Sequence, residues 1–152
     1  MTDVAKDSKV TLREITRDTV RAICNLKVAE PQNMFVAPNA VSIAQAYFEE
    51  AAWFRAIYAD DTPVGFLMLE VQPEKPEYFL WRLMIADGYQ RMGFGEQAMK
   101  LVIEHVKTLP NATEFLTSCV PGEGSPQGFY SKLGFVPTGE IDDGEVIMRL
   151  VF

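Results

Sequence analysis

Histidine occurs once in this chain of 152 residues, as His105, and cysteine twice, as Cys24 and Cys119. One histidine and two distant thiols supply no ligand spacing for a metal, so none is expected. The two cysteines sit in hydrophobic contexts and read as reduced core residues of a cytoplasmic protein. The first nine residues are polar and carry no apolar core, which excludes a secretory signal there. No run approaches 18 apolar residues, so no membrane-spanning helix is expected. There is no Gly-Lys-Ser/Thr of a P-loop and no Gly-x-Ser-x-Gly of a hydrolase elbow. Positive charge is also scarce: Lys and Arg total 14 against 21 Asp and Glu, for a net charge of −7. Such a surface repels phosphate backbones, which excludes nucleic acid as a partner, and suits a cationic small molecule better.

At 17.1 kDa the chain fits one domain over residues 1–152. The acids are uneven. Residues 49–77 hold Glu49, Glu50, Asp60, Asp61, Glu70, Glu74 and Glu77 against only Arg55 and Lys75. That stretch reads as a solvated acidic face or as an attractor for cations.

Periodicity gives the elements. Val10–Glu14 alternates and predicts a strand. Thr16 or Asp18 caps a helix reaching Lys27, and Ser42 with Gln45 forms a capping box for an Ala-rich helix reaching Trp53. Residues 54–58 and 64–71 form a hairpin about Asp60–Pro63. Tyr78–Ile85 reads as a strand buried on both faces. A long helix follows over 90–107, then a strand over 114–120, a short helix over 125–132, and a terminal hairpin turning at Asp142-Asp143-Gly144. The crossover helix makes strands 78–85 and 114–120 parallel neighbours.

Chemistry concentrates in two places. Gln90-Arg91-Met92-Gly93-Phe94-Gly95 lies after a strand and opens a helix. Its glycines allow close backbone approach, and the first-turn N–H groups lack partners and carry the positive dipole end, so the turn suits a pyrophosphate. It lacks the third spaced glycine of the dinucleotide fingerprint. The second place is Tyr130-Ser131-Lys132-Leu133-Gly134-Phe135, at the end of the short helix.

In these two motifs and in the order of its elements, the chain resembles the GNAT superfamily of N-acetyltransferases. The first motif is similar to that family's Gln/Arg-x-x-Gly-x-Gly/Ala acetyl-CoA turn, and the second to its Tyr-x-x-Leu-Gly-Phe ending. The resemblance implies an α/β (α+β) fold: a mixed, mostly antiparallel sheet of about seven strands, its parallel central strands splayed, flanked by about four helices. It implies that acetyl-CoA is the co-substrate, with Gln90 and the backbone of Arg91, Met92, Gly93, Phe94, Gly95 and Glu96 at its pyrophosphate. Main chain of Leu83, Met84 and Ile85 would pair with the pantetheine arm. The Leu83 N–H would face the thioester carbonyl and stabilise the oxyanion, and Tyr130 would protonate the departing thiolate.

Two departures stand out. The position seven before the tyrosine, often Asn in the family, is Glu123. The strand on which many members carry a carboxylate base offers Arg82 instead, and Glu70 on the adjacent strand is the nearest acid. In the Tyr78–Ile85 strand followed by Gln90, and in the Gly139-Glu140 and Gly144-Glu145 pairs of the terminal hairpin, the chain looks most like the superfamily's small bacterial polyamine or diamine acetyltransferases, which implies Glu30, Phe35, Glu49, Glu50 and Glu70 about the acceptor. Acetylation of another amine (an aminoglycoside, an amino acid, a protein N-terminus) and a non-catalytic acyl-CoA-binding regulator remain as alternatives. His105 reads as a surface residue, Trp53 and Trp81 as core, and the terminal hairpin offers a homodimer edge.

Overall fold

A computed structural model of the chain describes residues 4–29 and 37–152. At its centre lies the run Val64–Leu69, buried at every residue. That run is the middle of β3 (Thr62–Gln72), which pairs with β2 (Ala52–Ala59) on one side and β4 (Glu77–Ile85) on the other. β1 (Val10–Arg13) extends the sheet beyond β2. On the other side follow β5 (Glu114–Cys119), β7 (Glu145–Val151) and β6 (Val136–Asp142), giving the order β1-β2-β3-β4-β5-β7-β6. All pairings are antiparallel except β4 with β5. The parallel pair follows from the crossover through α3 (Phe94–Lys107), as its sequence position requires.

Alternation along the strands divides the core between two faces. On one, Leu67, Leu69, Tyr78 and Leu80 pack with Phe94, Ala98, Met99, Val102 and Val106 of α3, and with Tyr130 of α4 (Gln127–Lys132). On the other, Phe66, Met68 and Met84 pack with Ile23 of α1 (Val20–Cys24) and with Ile43 and Ala46 of α2 (Asn39–Tyr47).

Several boundaries differ from the sequence expectations. The first helix is five residues long and ends at Cys24, short of Lys27. α2 begins at Asn39, so Ser42 lies inside it rather than capping it, and it ends at Tyr47 rather than at Trp53. Ala52 and Trp53 are strand instead, because they pair with Glu70 and Leu69 of β3, and sheet pairing overrides alanine's helix preference. α3 starts at Phe94, leaving 86–93 as a loop. The strand buried on both faces is β3; the middle of β4 is only half-buried, because the sheet opens beside it. Cys24 and Cys119 are both free thiols, and among the described residues no helix is long and apolar enough to cross a membrane.

Candidate active site

The opening arises from two backbone irregularities. β4 and β5 pair only at Phe79–Leu116 and Leu80–Thr117, and beyond those residues the two parallel strands part. The Thr117 hydroxyl donates to the Leu80 carbonyl at 3.2 Å and clamps the last paired position. On β4's other edge the register jumps: Met68 pairs with Arg82 but Leu69 with Leu80, so Trp81 is the extra residue of a β-bulge. The bulge exchanges the strand's faces. Before it, Tyr78 and Leu80 point to the α3/α4 side. After it, Leu83 and Ile85 do, while Met84 packs on the α1/α2 side.

The parted strands leave main chain unpaired. The Ala86 N–H donates to Val64 of β3 at 2.8 Å. By antiparallel alternation the N–H groups of Leu83 and Ile85 then point the other way, into the gap. The gap is part of a cleft of about 1040 Å³, lined by Leu80–Ile85 on β4, by Thr117–Cys119 on β5 and by Val120 just beyond it. Val28, Ala37 and Pro38 lie over it from the α1–α2 segment.

Beyond β4 the cleft runs onto the N-terminus of α3. Arg91 (φ 63°) and Gly93 (φ 82°) adopt left-handed conformations that turn the chain sharply before the helix. No side chain caps that helix, and its first internal bond is Gln97 N–H to Gly93 at 3.1 Å. The N–H groups of Phe94, Gly95 and Glu96 therefore have no partner in the helix and carry its positive dipole end. Gln90 Nε2 donates to the Ile85 carbonyl at 2.8 Å, clipping the turn to the end of β4. A Cβ on Gly93 would meet nothing within 4 Å, so glycine there serves φ and leaves the turn open. An extended arm along Leu83–Ile85 ending in a pyrophosphate fits this combination of free strand edge and bare helix end.

Tyr130 reaches the cleft from α4 and is 6% exposed. Its ring packs edge-on against Phe129 at 5.5 Å and Phe135 at 5.7 Å. Burial pushes its phenol up to about 12, a rise eased by a hydrogen bond with Thr117 and reinforced by Cys119 and Glu145. The hydroxyl thus keeps its proton at neutral pH, as a general acid must.

Of the residues singled out in the sequence, Leu83, Met84, Ile85, Gln90, Arg91, Gly93, Phe94, Gly95, Glu96 and Tyr130 line this cleft together. Met92 packs against the core instead. Glu70 bonds to Gln72 and does not line the cleft, nor do the exposed Glu49 and Glu50. Glu30 and Phe35 lie outside the described residues. The loop that departs from the family pattern contributes Gly124, Ser125 and Pro126 to the lining. His105 is half-buried, stacked on Trp53 at 4.5 Å, and burial with Arg55 nearby lowers its pKa. Sequence reasoning missed Glu145, which lines the cleft from β7 and accepts a hydrogen bond from Ser118 Oγ at 3.2 Å. No motif marks it.

Residues 20–135 match the family model for the acetyltransferase (GNAT) family. The chain belongs to the GNAT acetyltransferase family. As a member of it, this protein is an acetyl-CoA-dependent N-acetyltransferase. It is similar to a spermine/spermidine N(1)-acetyltransferase of Bacillus subtilis, 26% identical over 148 residues that cover 91% of this chain and 96% of the relative. The GNAT fold is shared with a domain from Methanocaldococcus jannaschii, TM-score 0.76 at 16% identity, covering 96% of this chain and all of that one. It is shared also with a PaiA N-acetyltransferase from Thermoplasma acidophilum in complex with coenzyme A, TM-score 0.70 at 16% identity, covering 95% and 99%. A third is the spermidine/spermine N-acetyltransferase SpeG from Vibrio cholerae, TM-score 0.69 at 20% identity, covering 97% and 95%.

Proposed function

We propose that this acetyltransferase acts on a primary amine of a polyamine such as spermidine or spermine, by direct attack with both substrates bound. The observation that carries the acceptor class is the likeness, over nearly the whole chain, to the Bacillus subtilis spermine/spermidine enzyme. The net charge of −7 supports it, since such a field draws polycations in.

Bound acetyl-CoA supplies an acyl group activated as a thioester. The chain's own contribution is position and charge. The Phe94–Glu96 amides hold the pyrophosphate, the Leu83–Ile85 edge aligns the arm, the Leu83 N–H faces the carbonyl oxygen, and the Tyr130 hydroxyl gives its proton to the leaving sulfur.

A second reading is favoured by Arg82. Its Nη2 donates to Gln45 at 3.2 Å, but its Nε is buried without a partner among the described residues. A free guanidinium nitrogen beside the cleft suits an acceptor with a carbonyl or carboxylate near its amine, such as an amino acid or a peptide N-terminus.

The test is coenzyme A release by thiol titration, with spermidine, spermine, putrescine, an aminoglycoside, free amino acids and a peptide. Turnover confined to the polyamines is expected. Turnover confined to amino acids or peptide would overturn the polyamine reading in favour of the second. Acetyl-CoA binding without turnover on any amine would point to the regulator. The double change Glu49→Gln, Glu50→Gln is expected to leave the polyamine KM within about twofold, because exposed charges away from the cleft are screened. A several-fold rise in KM would return that pair to the acceptor site.

A further inference from the structure

The transfer needs a proton acceptor for the attacking nitrogen, and the one carboxylate of β4, Glu77, is exposed at the strand's start and does not line the cleft. We propose that Glu145 is that acceptor, working across the parted strands from Tyr130. The inference rests on the acetyl-transfer reading of the cleft, though not on which amine is used.

Register sets the two groups on opposite faces of the gap. On β7, Val146 and Met148 pack into the α3/α4 core, so Glu145 and Ile147 face the α1/α2 side. Ser118, the register partner of Ile147, shares that face and donates to Glu145 at 3.2 Å. Arg82 stands on the same side, where it bonds to Gln45 of α2. Tyr130 belongs to the other face. Where the strands part, groups of both faces line one cleft: Glu145, Ser118 and Arg82 with Cys119 and Tyr130. An amine entering beneath Val28, Ala37 and Pro38 would enter a cleft that Glu145 lines together with the Leu83–Ile85 edge.

The other carboxylate that lines the cleft, Glu96, sits at the start of α3, at the phosphate end, and pairs with Lys100 at 3.3 Å. Among the described residues Glu145 is thus the cleft carboxylate on the acceptor side. Ser118 orients it, and Arg82 lines the same side of the cleft.

The proton count closes. The neutral amine forms a bond from nitrogen to the thioester carbon, and this makes the nitrogen acidic. One of its protons passes to Glu145. The carbon–sulfur bond breaks, its electron pair leaves on sulfur, and Tyr130 gives sulfur its proton. The Glu145 carboxylic acid, far stronger than the phenol, then returns its proton to the Tyr130 phenolate, and both groups are reset.

Glu145→Gln tests this with little change of shape. The charged and titratable groups about it are Arg82 on β4, Cys119 on β5, Tyr130 on α4, and Asp142, its register partner on β6. kcat is expected to fall about 10²-fold, with acetyl-CoA affinity by calorimetry unchanged. The rise of kcat with pH that the amine's own proton imposes should remain in E145Q, and the loss should fall on kcat with the amine KM within about twofold, a split that a merely structural role would not produce. Glu145→Asp should recover part of kcat, and Ser118→Ala should lose about three- to tenfold by releasing the carboxylate. Wild-type kcat in E145Q, or a loss that appears in KM alone, would overturn the role of Glu145 alone. A wild type that binds acetyl-CoA yet acetylates no amine would overturn the transfer reading and this inference together.

Discussion

Tyr130→Phe is expected to lower kcat by about 10²-fold or more while leaving acetyl-CoA affinity and the fold nearly intact. The ring fills its place between Phe129 and Phe135 with or without the hydroxyl. What is lost is one hydrogen bond with Thr117, about 1 kcal/mol, and the proton for the leaving sulfur. Steady-state coenzyme A release, calorimetry and a melting curve separate these effects; wild-type kcat in the variant would remove Tyr130 from the chemistry. The pH dependence has a definite sign. The folded phenol stands near 12, above its ordinary value of about 10. Its contribution to stability is complete below about pH 10 and is lost as pH rises toward 12, because the unfolded chain gives up that proton first. The acid role proposed for Tyr130 therefore predicts no falling limb below about pH 11. The rate with a primary amine should rise with pH, as the acceptor loses its own proton near pH 10.

The parts of this site that were legible in the sequence are those where one short segment does the work. The turn at Gln90–Gly95 and the ending at Tyr130–Phe135 each carry their function within six residues. The β3 run and the crossover before β5 were readable for a similar reason, since apolar pattern and chain order dictate them. Other features needed distant partners. Nothing local halts α2 at Tyr47; pairing of Ala52 with Glu70 does. The capping box at Ser42 was misleading because Pro38 already sets the helix start, leaving the Ser42 hydroxyl buried and without a partner among the described residues. The β4 bulge left no trace in the sequence: residues 78–85 are apolar at every position but Arg82, and only in the structure do the positions packed on the α3/α4 core pass from even (Tyr78, Leu80) to odd (Leu83, Ile85). That change of parity is what a single inserted residue produces. Glu145 left no trace, because it reaches the cleft only through β7's place beside β5.

Gly65→Ala is the change expected to do most damage away from the reacting groups. Gly65 pairs with Ile85 across β3 and β4. A Cβ there would collide with the Met84 carbonyl oxygen and approach Ile85 Cδ1 to 2.9 Å and Ile57 Cδ1 to 3.2 Å. The isoleucine ends can rotate away; a strand carbonyl cannot. β4 must therefore shift at Met84–Ile85, the segment whose opposite edge faces the cleft. Overpacking of this kind costs about 1–3 kcal/mol, or about 2–4 °C in Tm for each kcal/mol in a chain of this size. Acetyl-CoA affinity should weaken as well, because the displaced edge is the one proposed to align the arm. Ile57→Val is the control. It removes one buried methylene from the same neighbourhood at about 0.5–1.5 kcal/mol, with no push on β4. It should lower Tm and leave coenzyme binding unchanged. If Gly65→Ala also binds acetyl-CoA like wild type, the close approach of β3 and β4 is a matter of stability alone, and the cleft edge is set by the bulge at Trp81 and the Thr117 clamp.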